Sequence, residues 1–137
     1  ITLRNFHIPA HLQASATRGV VAQRLLRKIC ERCKVPHQLS EADAQLLGLE
    51  GVPAGFTAYR GAGCPVCFHT GYSGRTGAFE IFHVDEVART LILEEKSERE
   101  IRAHAIARGM RTLQQDGVRK IAEGVTTVEE YHRVLRF

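Results

Sequence analysis

Hydrophobic positions along the chain change their spacing several times, and each change marks an element. Residues 8–18 predict a short helix, with Pro9 in its first turn and Gly19 as its stop. In residues 20–29 the apolar positions Ala22, Leu25, Leu26 and Ile29 fit a helical period, yet the Val20-Val21 start fits a strand, so periodicity leaves both open. Ser40 N-caps a brief helix that runs to about Leu47 and stops at Gly48, and Gly51, Pro53 and Gly55 make a loop. Phe79 and Ile81 then alternate with Glu80 and Phe82, which predicts a strand over 78–84.

The last fifty residues read as four short helices packed as a compact bundle. Asp85 caps the first, which carries Val87, Leu91 and Ile92. Ser97 and Glu100 form a capping box before Ile101, Ala105 and Ile106, and Gly109 ends that helix. The third starts at Thr112, buries Leu113, Val118 and Ile121, and ends at Gly124; Thr126 or Thr127 caps the fourth, with Tyr131, Val134 and Leu135 on its apolar side. The expected class is α+β, mostly α-helical, with a few edge strands.

Composition adds little to this. With 44% hydrophobic and 25% charged residues, the chain resembles an ordinary soluble protein, and no apolar run approaches the ~20 residues a membrane span requires. It opens at Ile1, without methionine, in sequence that already reads as a domain interior, so the expectation is a piece of a longer protein.

Cysteine placement changes the picture. All four cysteines fall in two doublets, Cys30-Glu31-Arg32-Cys33 and Cys64-Pro65-Val66-Cys67, with thirty residues between them. A Cys-x-x-Cys pair curls so that both sulfurs point into one volume, and two such pairs supply the four thiolates of a tetrahedral Zn²⁺ site. Such a site is closed and has no open position for water, which argues against catalytic zinc. The separation exceeds that of a minimal zinc ribbon, so the metal is expected to clasp the ends of a small helical excursion. His69 follows Cys67 closely and is a candidate fifth ligand or hydrogen-bond donor to a sulfur, but four thiolates already complete the site, which favours reading it as a loop histidine near the surface.

Charge is a weaker guide. The formal charge is +4 and the pI about 9.1, and four thiolates on one Zn²⁺ contribute −2, which leaves about +2. Arg18, Arg24, Arg27, Lys28, Arg32 and Lys34 form a basic stretch, but it lacks the interleaved aromatics that stack on bases. A zinc-containing nucleic-acid-binding module is therefore the alternative reading. Gly71 to Gly77 is read as a turn region, since it lacks the Gly-x-x-x-x-Gly-Lys-Ser/Thr pattern and leads into a strand. No catalytic set stands out among the scattered histidines and carboxylates.

Several motifs together resemble the C-terminal part of the secretion ATPases, the family of the type II secretion and type IV pilus assembly ATPases. They are Val21-Ala22-Gln23-Arg24-Leu25 ahead of the first doublet; Gly63-Cys64-Pro65-Val66-Cys67 with Thr70-Gly71-Tyr72; Gly74-Arg75-Thr76-Gly77-Ala78-Phe79-Glu80; and Gly109-Met110-Arg111-Thr112-Leu113 with Asp116-Gly117 and 124–130. The resemblance implies a hexameric cytoplasmic motor docked at the inner membrane, with a protruding tetracysteine zinc subdomain held by Cys30, Cys33, Cys64 and Cys67. It makes 20–29 and 78–84 strands at the edge of the ATPase core, and divides the chain into 1–29 (core helix and edge strand), 30–67 (zinc subdomain), 68–84 (glycine-rich loop and strand) and 85–137 (C-terminal helical lobe). The expected partners are the other hexamer subunits and an inner-membrane assembly platform, with Gln23, Arg24 and Arg75 as contact residues. The family's ATP- and Mg²⁺-binding motifs would lie upstream of Ile1, so the chain alone is expected not to hydrolyse ATP.

Overall fold

Two long strands, β1 (Gly19–Ile29) and β4 (Tyr72–His83), pair into a ribbon that resolves the ambiguity of residues 20–29 in favour of strand. Val84 N donates to Arg18 O at one end and Cys30 N to Gly71 O at the other, which makes the pair antiparallel. The computed structural model describes residues 2–136. The other elements are α1 (Thr2–Asn5), α2 (Ala10–Ala16), β2 (Lys34–His37), α3 (Glu41–Leu46), β3 (Ala58–Gly61), a 3₁₀ turn (Pro65–Cys67), α4 (Glu86–Leu93), α5 (Glu98–Ala107), α6 (Leu113–Ala122) and α7 (Val128–Leu135). The class is mixed α and β with helix predominant.

The chain forms two compact units, residues 1–22 with 80–112 and residues 23–79 with 113–137. In the first, α2 packs on α4 and α4 on α5, around buried Ala14, Val84, Ala88 and Ala105. Its helix starts follow the local rules. Asp85 accepts from Ala88 N at 2.8 Å, and Ser97 and Glu100 form the reciprocal box, with Ser97 Oγ accepting from Glu100 N and Glu100 Oε2 from Ser97 N. His104 Nε2 lies 2.9 Å from both oxygens of Asp85, and Arg102 makes a paired bond to Glu80 at 3.0 and 3.1 Å.

The second unit holds both cysteine doublets. α6 and α7 pack on one another, and Leu26, Ile121 and Leu135 are wholly buried. Thr127 caps α7 through Glu130 N at 3.0 Å, and buried Asp116 of α6 accepts from Phe79 N of β4 at 2.9 Å. Gly117 is the tightest point of the helix pair. A Cβ there would stand 2.3 Å from Leu135 Cδ1 and 2.9 Å from Tyr131 Cδ2, and neither buried side chain has room to turn away. Gly117→Ala is expected to lower the stability of this unit in urea unfolding by about 1–2 kcal/mol, an overpacking cost that exceeds the helix-propensity gain of alanine. Equal or greater stability would mean that α6 and α7 part freely.

Two local expectations change. Residues 72–77 are not a turn: they are the first half of β4, although Gly71 and Gly74 do take positive φ (81° and 78°). Pairing with β1 outweighs the low strand propensity of glycine. The excursion between the doublets also contains a sheet as well as its helix, since β2 and β3 pair antiparallel from Lys34↔Gly61 to His37↔Ala58.

Candidate metal centre

Each doublet sits where a regular element ends. β1 runs out at Ile29 and delivers Cys30, whose N–H is held by Gly71 O at 2.9 Å; the chain turns, Cys33 N reaching Cys30 O at 3.4 Å, and enters β2. The β2–β3 pairing then returns the chain beside the first doublet. Ala62 N donates to Cys33 O at 3.0 Å, and the second doublet begins two residues later. The 3₁₀ turn curls Cys64 toward Cys67, and Phe68 and His69 follow with positive φ of 55° and 60°, which lets His69 N close onto Cys64 O at 2.8 Å.

This path brings all four sulfurs within 4.8 Å of one another. Cys30 and Cys67 are buried; Cys33 and Cys64 are half-buried. The Sγ separations are 3.8 Å for Cys30–Cys64, 3.9 Å for Cys33–Cys67 and 3.7 Å for Cys64–Cys67. A disulfide would need about 2.05 Å, so these are free thiols. Four sulfurs bound at about 2.3 Å to the centre of a tetrahedron would stand about 3.8 Å apart along its edges. The donor set therefore fits a tetrahedral, thiolate-bound ion, which Cys30, Cys33, Cys64 and Cys67 would hold with no side chain left over. His69 is exposed and stands outside this group.

Backbone amides point at the sulfurs unequally. Cys67 Sγ accepts from Cys64 N at 3.3 Å and Gly71 N at 3.2 Å, whereas Cys33 Sγ accepts only from Gly63 N at 3.3 Å. Burial raises the pKa of both thiols. At Cys67 the two amides outweigh it and bring the thiol down to about 6; at Cys33 burial prevails and pushes it up to about 11. The amides of Gly63 and Gly71 are functional groups that a search for side-chain ligands misses; the signal is the glycine immediately before Cys64 and the one four residues beyond Cys67.

The other residues singled out lie on the ribbon. Gln23 and Arg24 are exposed on β1 and Arg75 is exposed on β4, and Arg24 Nη1 donates to Gln23 O at 3.1 Å. Much of the basic stretch is engaged within the chain. Arg27 lies 4.1 Å from the Tyr72 ring centroid and bonds Glu130, while Lys34 lies 4.9 Å from that of Tyr59 and 3.9 Å from Glu31. No described helix is long and apolar enough to cross a membrane.

Comparison with known proteins gives a consistent result. Residues 1–133 match the family described as Type II/IV secretion system protein. The type II secretion system protein E of Pseudomonas aeruginosa is 45% identical over 129 residues, covering 94% of this chain and 25% of that protein. The type IV pilus assembly ATPase PilB of Thermus thermophilus is 42% identical over 118 residues, with 85% and 13% covered. The type II secretion system ATPase E of Vibrio cholerae is 36% identical over 134 residues, with 98% and 26% covered. The chain thus spans about a quarter or less of the length of these relatives. Nearly the whole of it aligns to them with the cysteine centre inside the matched region, and the chain belongs to the Type II/IV secretion system protein family.

Proposed function

We propose that this chain is the metal-stabilised C-terminal module of a hexameric ATPase that powers type II secretion or type IV pilus assembly. Zn²⁺ is held by Cys30, Cys33, Cys64 and Cys67 and has a structural role, because four thiolates leave it no open coordination position. The observation that carries the metal reading is the cluster of four sulfurs within 4.8 Å of one another, three of whose pairs stand 3.7 to 3.9 Å apart, close to the edge of a zinc–thiolate tetrahedron. ATP and Mg²⁺ belong to the rest of the parent protein, and this segment does not hydrolyse ATP alone.

In this reading the clasped excursion shapes a surface for neighbouring subunits or for an assembly platform at the cytoplasmic face of the inner membrane. Val66 and Phe68 flank the centre at 60% and 86% exposure, and Phe68 keeps its bulk at a positive φ that favours glycine by about 1–2 kcal/mol. Gln23, Arg24 and Arg75 add polar contacts from the ribbon. Metal analysis of protein purified without chelator tests the reading, with about one zinc per chain expected and no ATPase activity from the isolated chain. Absence of bound metal would overturn it.

A further inference from the structure

We infer that a backbone crossing between Gly61 and Gly71 sets the metal affinity of the centre, a positioning role that rests on the reading of the four cysteines as metal ligands. The Gly71 peptide unit joins the doublets directly. Its N–H donates to Cys67 Sγ at 3.2 Å, and its carbonyl accepts from Cys30 N at 2.9 Å. One residue therefore fixes a ligand of the second doublet and the backbone of the first.

Gly61, the last residue of β3, lies directly against it. A Cβ on Gly61 would fall 2.1 Å from Gly71 O and 2.5 Å from Gly71 Cα, and one on Gly71 would fall 2.7 Å from Gly61 O. These obstacles are backbone atoms, so no rotamer change relieves them. Any side chain at Gly61 must displace Gly71, and with it both bonds that orient Cys67 and Cys30. The end of β3 also leads through Ala62, which bonds Cys33 O, to Gly63, which bonds Cys33 Sγ. The crossing thus touches the supports of three of the four ligands. Thr70 holds the same peptide from the other side, its hydroxyl donating to Cys67 O at 2.7 Å and accepting from Tyr72 N at 3.2 Å.

Gly61 owes its identity to space, since its φ lies outside the left-handed region. Gly48 is the converse, with φ of 74° and nothing within 4 Å of an added Cβ. The experiment measures Zn²⁺ affinity by chelator competition and the Co²⁺ absorption spectrum of the whole chain, for wild type, Gly61→Ala, Gly48→Ala and Thr70→Val, alongside far-ultraviolet circular dichroism. Wild type is expected to bind one Zn²⁺ and give the spectrum of a tetrahedral Co²⁺–thiolate site. Gly61→Ala is expected to weaken Zn²⁺ by about 10–100-fold, the effect of losing supports outside the ligand shell, and to shift the Co²⁺ bands. Gly48→Ala, which strains the backbone without crowding it, is expected to lower thermal stability and to weaken Zn²⁺ far less than Gly61→Ala does, with the Co²⁺ bands at their wild-type positions. Should Gly61→Ala fail to fold, Thr70→Val carries the test with no added bulk, and a loss of about tenfold is expected. Wild-type affinity in a folded Gly61→Ala, or in Thr70→Val where Gly61→Ala does not fold, overturns the inference. Failure of wild type itself to bind metal overturns the metal reading first, and the two failures are distinct.

Discussion

Cys64→Ser is expected to lose the metal and, with it, the ordered structure of residues 30–71. The segment between the doublets is poorly equipped to fold on its own. β2 and β3 are four residues each, and α3 is six. An isolated two-stranded hairpin is marginal in water, and the buried apolar side chains available here are only Leu39, Ala44, Leu47 and Ala58. A tetrahedral ion closing this thirty-residue loop would add the missing free energy, since a site absent from the unfolded chain turns binding energy into folding energy. Removing one of four ligands should weaken binding by more than the 10–100-fold that an outer support costs. Hydrogen exchange reads this by region: amides of β2 and β3 should lose protection while those of α6 and α7 keep theirs. Unchanged protection in β2 and β3 would show that the segment stands without the ion.

The second large effect is placed at Glu130. Its side chain is wholly buried, and one oxygen accepts from both Arg27 N at 2.9 Å and Arg27 Nε at 2.6 Å, while the other accepts from Arg133 Nε. Thr126 Oγ1 donates to Arg27 O and Ile29 N to Val125 O, so this carboxylate sits at the centre of the seam between β1 and the start of α7. Glu130→Ala leaves a buried amide and a guanidinium without their acceptor. Breaking a buried pair costs about 3–5 kcal/mol, and the lower end applies because both arginines retain access to water. Urea unfolding should therefore show a loss of about 3 kcal/mol, and a loss under 1 kcal/mol would mean that water replaces the carboxylate. The pH dependence has a definite sign. Burial alone would raise the carboxyl, but its bonds to Arg133 and Arg27 hold it below its ordinary value of 4.5. Its contribution is complete above about pH 4.5 and is lost as pH falls through the lower folded value. Wild type should thus lose stability more steeply than Glu130→Gln on acidification.

The sequence disclosed most where chemistry is local. Ser40, Asp85, Ser97 and Thr127 each cap the helix they were expected to cap, because a cap needs only a side-chain oxygen and an amide three residues on. The doublets were legible for the same reason, a Cys-x-x-Cys pair being its own geometric statement. What was hidden depends on distant partners. Residues 72–77 hold two glycines and follow a third, and they read as a turn until β1 supplies the pairing that makes them strand. β2 contains Pro36 and is too short to show alternation, so only its register with β3 identifies it. Glu129 and Glu130 are both acids in the first turn of α7; that Glu130 rather than Glu129 is buried follows from which helix face meets Arg27, 103 residues away.

The β2–β3 register has a consequence for the freedom of the chain between the doublets. Cys33 directly precedes β2, and Cys64 follows β3 by three residues, so the ladder from Lys34↔Gly61 to His37↔Ala58 fixes the spacing of the doublets at its base. Everything beyond the ladder, residues 38–57, is topologically a single lobe hung from two adjacent points. Doubling the length of such a lobe costs only about 0.6 kcal/mol of closure entropy. Its tip is therefore a port for lengthening, exchange or a grafted reporter, at which new sequence can be inserted while the four sulfurs keep their places.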